Sequence, residues 1–225
     1  KTMKLHVIEA GFFKLDGGAM FGIVPKNLWQ KTNPADQNNQ IELATRCLLV
    51  ESKNRLVLID TGLGNKQSEK FFSYYNRWGD HSLERSLKEK GFHKDDITDV
   101  LLTHLHFDHC GGAVERNPQK PELLQPTFKN AIYHSHSQHW EWANKPNARE
   151  KASFLKENFE PIAQNGQLNF IDQANSELLP FDYLLFDGHT EKQLIPKIQY
   201  KDKTIVYAAD LIPTMAHIPL PYVAG

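Results

Sequence analysis

The sequence predicts an α/β domain, and three observations carry that expectation. Short apolar runs rich in Val, Ile and Leu alternate along the chain with stretches of helical spacing. Two pairs of such runs are joined by turn tripeptides, Ser52-Lys53-Asn54 and Lys201-Asp202-Lys203, as hairpins are. The run Val100-Leu101-Leu102 is too short for a helix and has no polar alternation, which marks a buried strand. Together these imply layered sheets with hairpins and covering helices rather than a purely parallel doubly wound sheet.

Each element has a local reason. Leu5, Val7 and Ile8 predict a strand over 3–10, and Asp16-Gly17-Gly18 ahead of Met20-Phe21 reads as a hairpin turn. The polar segment 31–40 reads as a surface loop, followed by the hairpin of strands 43–51 and 55–59. Leu83 and Leu87 have helical spacing, with Ser82 as N-cap and Gly91 at the C-terminal end. Beyond the buried strand, 128–133 reads as a strand and 138–143 and 148–158 as helices. Strands at 168–171 and 183–186 and a hairpin of 194–200 with 204–208 complete the alternation.

Composition narrows the function classes. The 225 residues fit one domain, and 40% hydrophobic with 24% charged residues excludes wholesale disorder. A net charge of -1 leaves no electrostatic footprint for nucleic acid or an anionic membrane. Two cysteines, Cys47 and Cys110, form no disulfide framework, as in a reducing compartment. With no leader ahead of Met3 and no apolar run of membrane-spanning length, the expected location is cytoplasmic. The anomaly is histidine, at 11 residues.

The segment Thr103-His104-Leu105-His106-Phe107-Asp108-His109-Cys110-Gly111-Gly112 concentrates that excess directly after the buried strand. Side chains alternate on an extended backbone, so His104 and His106 face one side and can grip one metal. Asp108 and His109 follow after the chain turns and can face a second. Imidazole and carboxylate with few thiolates suit Zn(II), one or two per chain, with Mn(II) or Fe(II) as alternatives. Gly111-Gly112 lets the chain turn away close to the site.

His104-Leu105-His106-Phe107-Asp108-His109 resembles the metal signature of the metallo-β-lactamase fold superfamily of hydrolases. Other pieces follow in the same chain order: Asp60-Thr61-Gly62, Asp187-Gly188-His189-Thr190, and Ala208-Ala209-Asp210 after a strand. The resemblance implies a four-layer αββα sandwich with mixed sheets, and a single domain over 1–225 that lacks its C-terminal end. It implies that Asp60 is a buried hydrogen-bond acceptor rather than a ligand. It places His104, His106 and His189 on the first metal, Asp108 and His109 on the second, and Asp210 as the bridge. The family's further histidine on the second metal has no counterpart at the usual spacing, and His217 lies too close to Asp210 to serve.

The activity implied is a metal-dependent hydrolase that uses a metal-bound hydroxide on an ester, lactone, thioester or phosphoester bond of a small molecule. Asp108 is the catalytic candidate, orienting the nucleophile or shuttling a proton. Within the superfamily the chain is similar to lactonase-like and organophosphate-hydrolase-like members. N-acyl-homoserine lactonases carry a tyrosine shortly after the bridging aspartate, whereas Leu211-Ile212-Pro213 stands here and Tyr222 is the remote candidate. An iron-dependent oxidoreductase of the same fold is the rival enzyme class. His134, His136 and His139 read as exposed histidines on a turn entering a helix, while His6, His81 and His93 are isolated. Met20 with Phe21, Trp140 with Trp142, and Phe154 are candidates for core or cleft wall.

Overall fold

The computed structural model describes residues 3–173 and 178–222. The chain begins with a long strand, β1 (Lys4–Asp16), then two one-turn helices, α1 (Gly17–Phe21) and α2 (Lys26–Trp29). The hairpin β2 (Gln40–Ser52) and β3 (Arg55–Ile59) comes next, then helices α3 (Glu69–Ser73) and α4 (Leu83–Glu89). The buried strand β4 (Asp99–Leu101) leads through a loop to α5 (Phe107–Cys110), a small ribbon of β5 (Val114–Arg116) and β6 (Leu124–Pro126), and β7 (Ile132–Ser135). Helices α6 (Ser137–Asn144) and α7 (Glu160–Gln164) precede β8 (Leu168–Phe170), β9 (Asp182–Phe186), β10 (Gln193–Tyr200) and β11 (Lys203–Val206).

The strands form a mixed six-stranded sheet in the order β1-β2-β3-β4-β7-β8 and a three-stranded antiparallel sheet in the order β11-β10-β9. Alternation along each strand divides the core in two. On one face Ile8, Cys47, Leu49, Leu58, Val100 and Tyr133 pack with Leu87 of α4, Ala143 of α6 and Ile162 of α7. On the other face Val50, Val57, Ile59 and Leu101 meet Tyr183, Leu194 and Ile198 of the second sheet. The order is therefore helices, large sheet, small sheet, and the mixed α/β class expected from sequence is the one observed. Leu184, Phe186 and Val206 remain exposed on the small sheet. Among the described residues no helix is long and apolar enough to cross a membrane.

Three local expectations give way. Asp16 does not open a hairpin; its carboxylate accepts from Ala19 N at 2.8 Å and caps α1, while β1 runs on through Gly11 by a bulge. The helical stretch expected at 148–158 is a series of turns with one 3₁₀ turn at Lys156–Asn158. Asn147 caps the first turn by accepting from Glu150 N, and Ser153 O then accepts from Phe107 N at 2.9 Å instead of from a following helical N–H. The histidines at 134, 136 and 139 are buried, not exposed. His134 Nε2 meets Asp99 Oδ1 at 2.8 Å, and His136 Nδ1 caps α6 by accepting from Gln138 N.

Two predictions follow from the packing. Phe159 is fully buried and meets Trp140 edge to face, so Phe159→Ala is expected to cost about 3–5 kcal/mol in urea unfolding. Burial pushes the Asp99 carboxyl up, but hydrogen bonds from His134 and Thr98 and the Arg55 charge prevail and hold it below the ordinary 3.8. The ionised form is therefore favoured by folding, and its contribution is complete above that value and lost as pH falls through the lowered one. Unfolding midpoints should show a wild-type advantage over Asp99→Asn that is constant above about pH 5 and shrinks on acidification below it.

Candidate metal centre

The loop after β4 is positioned from both sides. Asp60, at the end of β3, is 1% exposed and its carboxylate accepts from Thr103 N at 2.8 Å and Thr103 Oγ1 at 2.9 Å. It also meets His109 Nδ1 at 2.9 Å and accepts from Tyr207 Oη at 3.1 Å. Thr61 donates through its N and Oγ1 to His109 O, at 2.8 and 2.9 Å. Gly111 and Gly112 are needed for close approach: a Cβ on either would lie 2.1 or 2.2 Å from the carbonyl oxygens of Leu63 and Thr61. Gly111 has φ -58, so what the site uses there is the missing side chain, not an unusual backbone angle.

His139 supports the loop from beneath. Its Nε2 accepts from Leu105 N at 2.9 Å and its Nδ1 donates to Glu191 O at 2.5 Å, which sets the tautomer of this ring. Burial pushes its pKa down to about 3, so it is a neutral strut between the histidine loop and the segment after His189.

Three imidazoles converge: ligand-type atoms of His104, His106 and His189 lie within 4.8 Å of one another. His189 Nε2 is 3.0 Å from His106 Nδ1. His104, His109 and Asp210 form a second group of the same size that shares His104. Asp210 straddles the two, with Oδ1 3.2 Å from His109 Nε2 and Oδ2 3.3 Å from His189 Nε2. Asp108 stands outside both groups, 3.7 Å from His109 Nε2. His217 is elsewhere, buried against Phe21 and bonded through Nε2 to Met20 O at 2.8 Å.

The electrostatics suit a cation. Burial and the neighbouring imidazoles hold His104 well below its ordinary range, and burial brings His189 down to about 4, so both keep lone pairs. His104 Nε2 is buried without a hydrogen-bond partner, as a ring nitrogen kept for a metal would be. Burial opposes charge on His109, but Asp210, Asp108 and Asp60 outweigh it and raise its pKa well above the ordinary value. Burial likewise opposes ionisation of Asp210, yet His109 and His189 hold its carboxyl low. Burial raises Asp108, helped by the charge of Asp210. The donor set of imidazole and carboxylate therefore fits a divalent transition metal, and the residues present fit the group.

Sequence reasoning missed Glu150, Thr190's partner in the site, and the supports His139 and Tyr207. Glu150 lines a cleft of about 380 Å³ with His106, Trp142, Ser153, His189 and Thr190. Its Oε2 accepts from Thr190 Oγ1 at 2.8 Å and Trp142 Nε1 at 3.1 Å and lies 3.7 Å from His106 Nε2. Phe154, one of the candidate cleft residues, packs on the rings of His106 and His139.

The chain is 27% identical over 142 residues to an N-acyl homoserine lactonase of Bacillus thuringiensis, covering 58% of this chain and 52% of the lactonase. It is 32% identical over 83 residues to a probable metallo-hydrolase of Mycobacterium tuberculosis, covering 33% and 27% of the two chains. The chain thus spans about half the length, or less, of these curated relatives. A crystal structure of a probable metal-dependent hydrolase from Staphylococcus aureus superposes with a TM-score of 0.88 at 30% identity, covering 99% of this chain and 78% of that one. A dizinc quorum-quenching lactonase in complex with a product shares the fold, with a TM-score of 0.70 at 23% identity over 93% of this chain and 72% of its own. The profile of the metallo-beta-lactamase superfamily matches residues 41–225. That match runs from β2 to the last residue and includes every histidine and aspartate of the two groups, so the chain belongs to the metallo-beta-lactamase superfamily.

Proposed function

We propose that the protein is a zinc-dependent hydrolase of small molecules, with His104, His106 and His189 as ligands of one metal, Asp108 and His109 on a second, and Asp210 between them. The observation that carries the reading is the convergence of three imidazoles beside a fully buried, unpartnered His104 Nε2. A divalent cation held there would polarise the scissile group and acidify water at neutral pH. The chain's own residues do the rest. Asp60 orients His109 through Nδ1, leaving Nε2 for the site. Asp108, 3.7 Å from His109 Nε2, would also orient the nucleophile or move a proton to the leaving group. The cleft beside His106 and His189 admits a substrate from the side of Trp142 and Ser153. Ester, lactone, thioester and phosphoester bonds all fall within this chemistry.

A narrower reading, acyl-homoserine lactone hydrolysis, is favoured by the lactonase relatives. The residues Leu211-Ile212-Pro213 after Asp210 weigh against it, because no tyrosine stands there to face the substrate.

The test is elemental analysis of the full chain reconstituted with Zn(II), Mn(II) or Fe(II), followed by a panel of lactone, thioester and phosphoester substrates. At least one transition metal per chain and turnover of one class are expected; less than one metal per chain sinks the proposal. His106→Ala should lower metal affinity more than about 100-fold, beyond the usual effect of losing an outer partner. Asp108→Asn should retain at least one metal and lose about 10²–10⁴ in kcat, the range for a removed proton-transfer group. Oxygen consumption with an iron-loaded chain, in place of hydrolysis, would assign the oxidoreductase class instead.

A further inference from the structure

Three of the proposed ligand imidazoles, His104, His106 and His109, have a nitrogen that turns away from the site, and the surroundings of those nitrogens differ. His109 Nδ1 meets the Asp60 carboxylate at 2.9 Å, and His104 Nδ1 meets Thr103 Oγ1 at 3.1 Å. His106 presents Nδ1 toward His189 Nε2, 3.0 Å away, so its other nitrogen, Nε2, must carry the ring proton whenever the Nδ1 lone pair is used. That Nε2 is buried and has no hydrogen-bond partner, and the acceptor it faces is Glu150 Oε2 at 3.7 Å.

Glu150 is itself held in place. Oε2 accepts from Thr190 Oγ1 and Trp142 Nε1, Oε1 accepts from Asn147 Nδ2 at 3.2 Å, and the backbone N donates to Asn147 Oδ1 at 2.9 Å. Thr190 follows His189 directly, so the carboxylate touches the segments that carry two of the three convergent imidazoles. Three donors already occupy the oxygens of Glu150, which argues against direct metal ligation. The turn that carries Glu150 is fixed to the histidine loop: Ser153 O, three residues on, accepts from Phe107 N at 2.9 Å.

We propose that Glu150 is a positioning residue of the first metal site, its carboxylate facing His106 Nε2 from 3.7 Å and, through Thr190, tying the surroundings of that imidazole to the strand-end segment bearing His189. The inference rests on the reading of His104, His106 and His189 as metal ligands. A carboxylate behind a ligating histidine fixes the ring and raises its basicity, and removing such a partner typically weakens metal binding 10–100-fold. Asp60 serves His109 in this way from one side of the loop, and Glu150 serves His106 from the other.

The test compares wild type with Glu150→Gln, Glu150→Asp and Thr190→Val in the full chain. Zn(II) affinity is read by competition with a chromophoric chelator, and the Co(II)-substituted protein reports the ligand field. Glu150→Gln keeps an acceptor for Trp142 and Thr190 but removes the charge facing His106. It should weaken the first equivalent of Zn(II) by about 10–100-fold and shift the Co(II) spectrum. Thr190→Val should weaken it by a smaller factor, and Glu150→Asp, which keeps the charge, should recover part of the loss. Wild-type affinity and spectrum in Glu150→Gln would overturn the inference while leaving the hydrolase reading intact. So would a fall in kcat with unchanged metal affinity, since Glu150 would then act on substrate in the cleft. If Glu150→Gln fails to fold, equal affinities in wild type, Glu150→Asp and Thr190→Val overturn it. A wild-type chain that binds no metal removes both proposals together.

Discussion

The buried carboxylate of Asp60 is the constraint around which the rest of the site is arranged. A carboxylate removed from water is costly unless donors replace the lost hydration. Here the donors come from three separate parts of the fold: Thr103 at the end of β4, His109 in α5, and Tyr207 just past β11. Satisfying one side chain therefore joins the large sheet, the histidine loop and the small sheet at a single point. The backbone bends to allow it: Asp60 has φ +60, and its N still donates to Leu101 O at 2.9 Å, carrying the β3–β4 pairing one residue past the strands. Aspartate tolerates that left-handed conformation better than most residues. Tyr207 stays a donor because burial, and the charge of Asp60 beside it, push its phenol well above the ordinary value.

The same economy of space explains the glycines and one strained alanine. The histidine loop lies directly on residues 61–64, with Gly112 N donating to Gly62 O at 3.0 Å. Gly64, at φ +66, and Gly111 meet backbone to backbone, at a distance where no side chain fits. The chain pivots again at Ala209, with φ +44, immediately before Asp210. An alanine in that region stores strain of order 1–3 kcal/mol, and such positions cluster where a side chain must be aimed. Asp210 is aimed between His109 and His189.

The legible part of the site was the part whose residues are close in sequence. His104, His106, Asp108 and His109 fall within six consecutive positions, so alternation puts His104 and His106 on one face and the turn that follows brings Asp108 and His109 close by. His189 and Asp210 became legible only through the order of motifs along the chain. The hairpins were legible because turn residues and β-branched runs are local signals, and β2–β3 and β10–β11 formed as expected. What stayed hidden depends on long-range contact. His139 looked like a surface histidine at a helix start, because its two partners, Leu105 N and Glu191 O, are distant in sequence. Glu150 sat in a stretch with helical composition, and its partner His106 comes from another loop. Propensity favoured a helix there; the anchoring of Ser153 O to Phe107 N overrides it.

The two groups that share His104 are chemically unequal, and the inequality follows from what stands behind each ring. One side is all imidazole, with His104 and His189 kept neutral mainly by burial. The other contains the ionised Asp210, with the Asp60 carboxylate behind His109 and Asp108 alongside. Negative charge therefore accumulates on the His109 side, while the His106 side shares Asp210 through His189 and has Glu150 set back beyond the His106 ring. Imidazole alone suits a borderline ion such as Zn(II), whereas added carboxylate widens the range toward harder ions. The two groups therefore differ in donor charge although the same two sheets carry them. The discriminating features are the identity of the atom behind each histidine and its distance from the ring, and both are set by loops, not by the sheets that carry them.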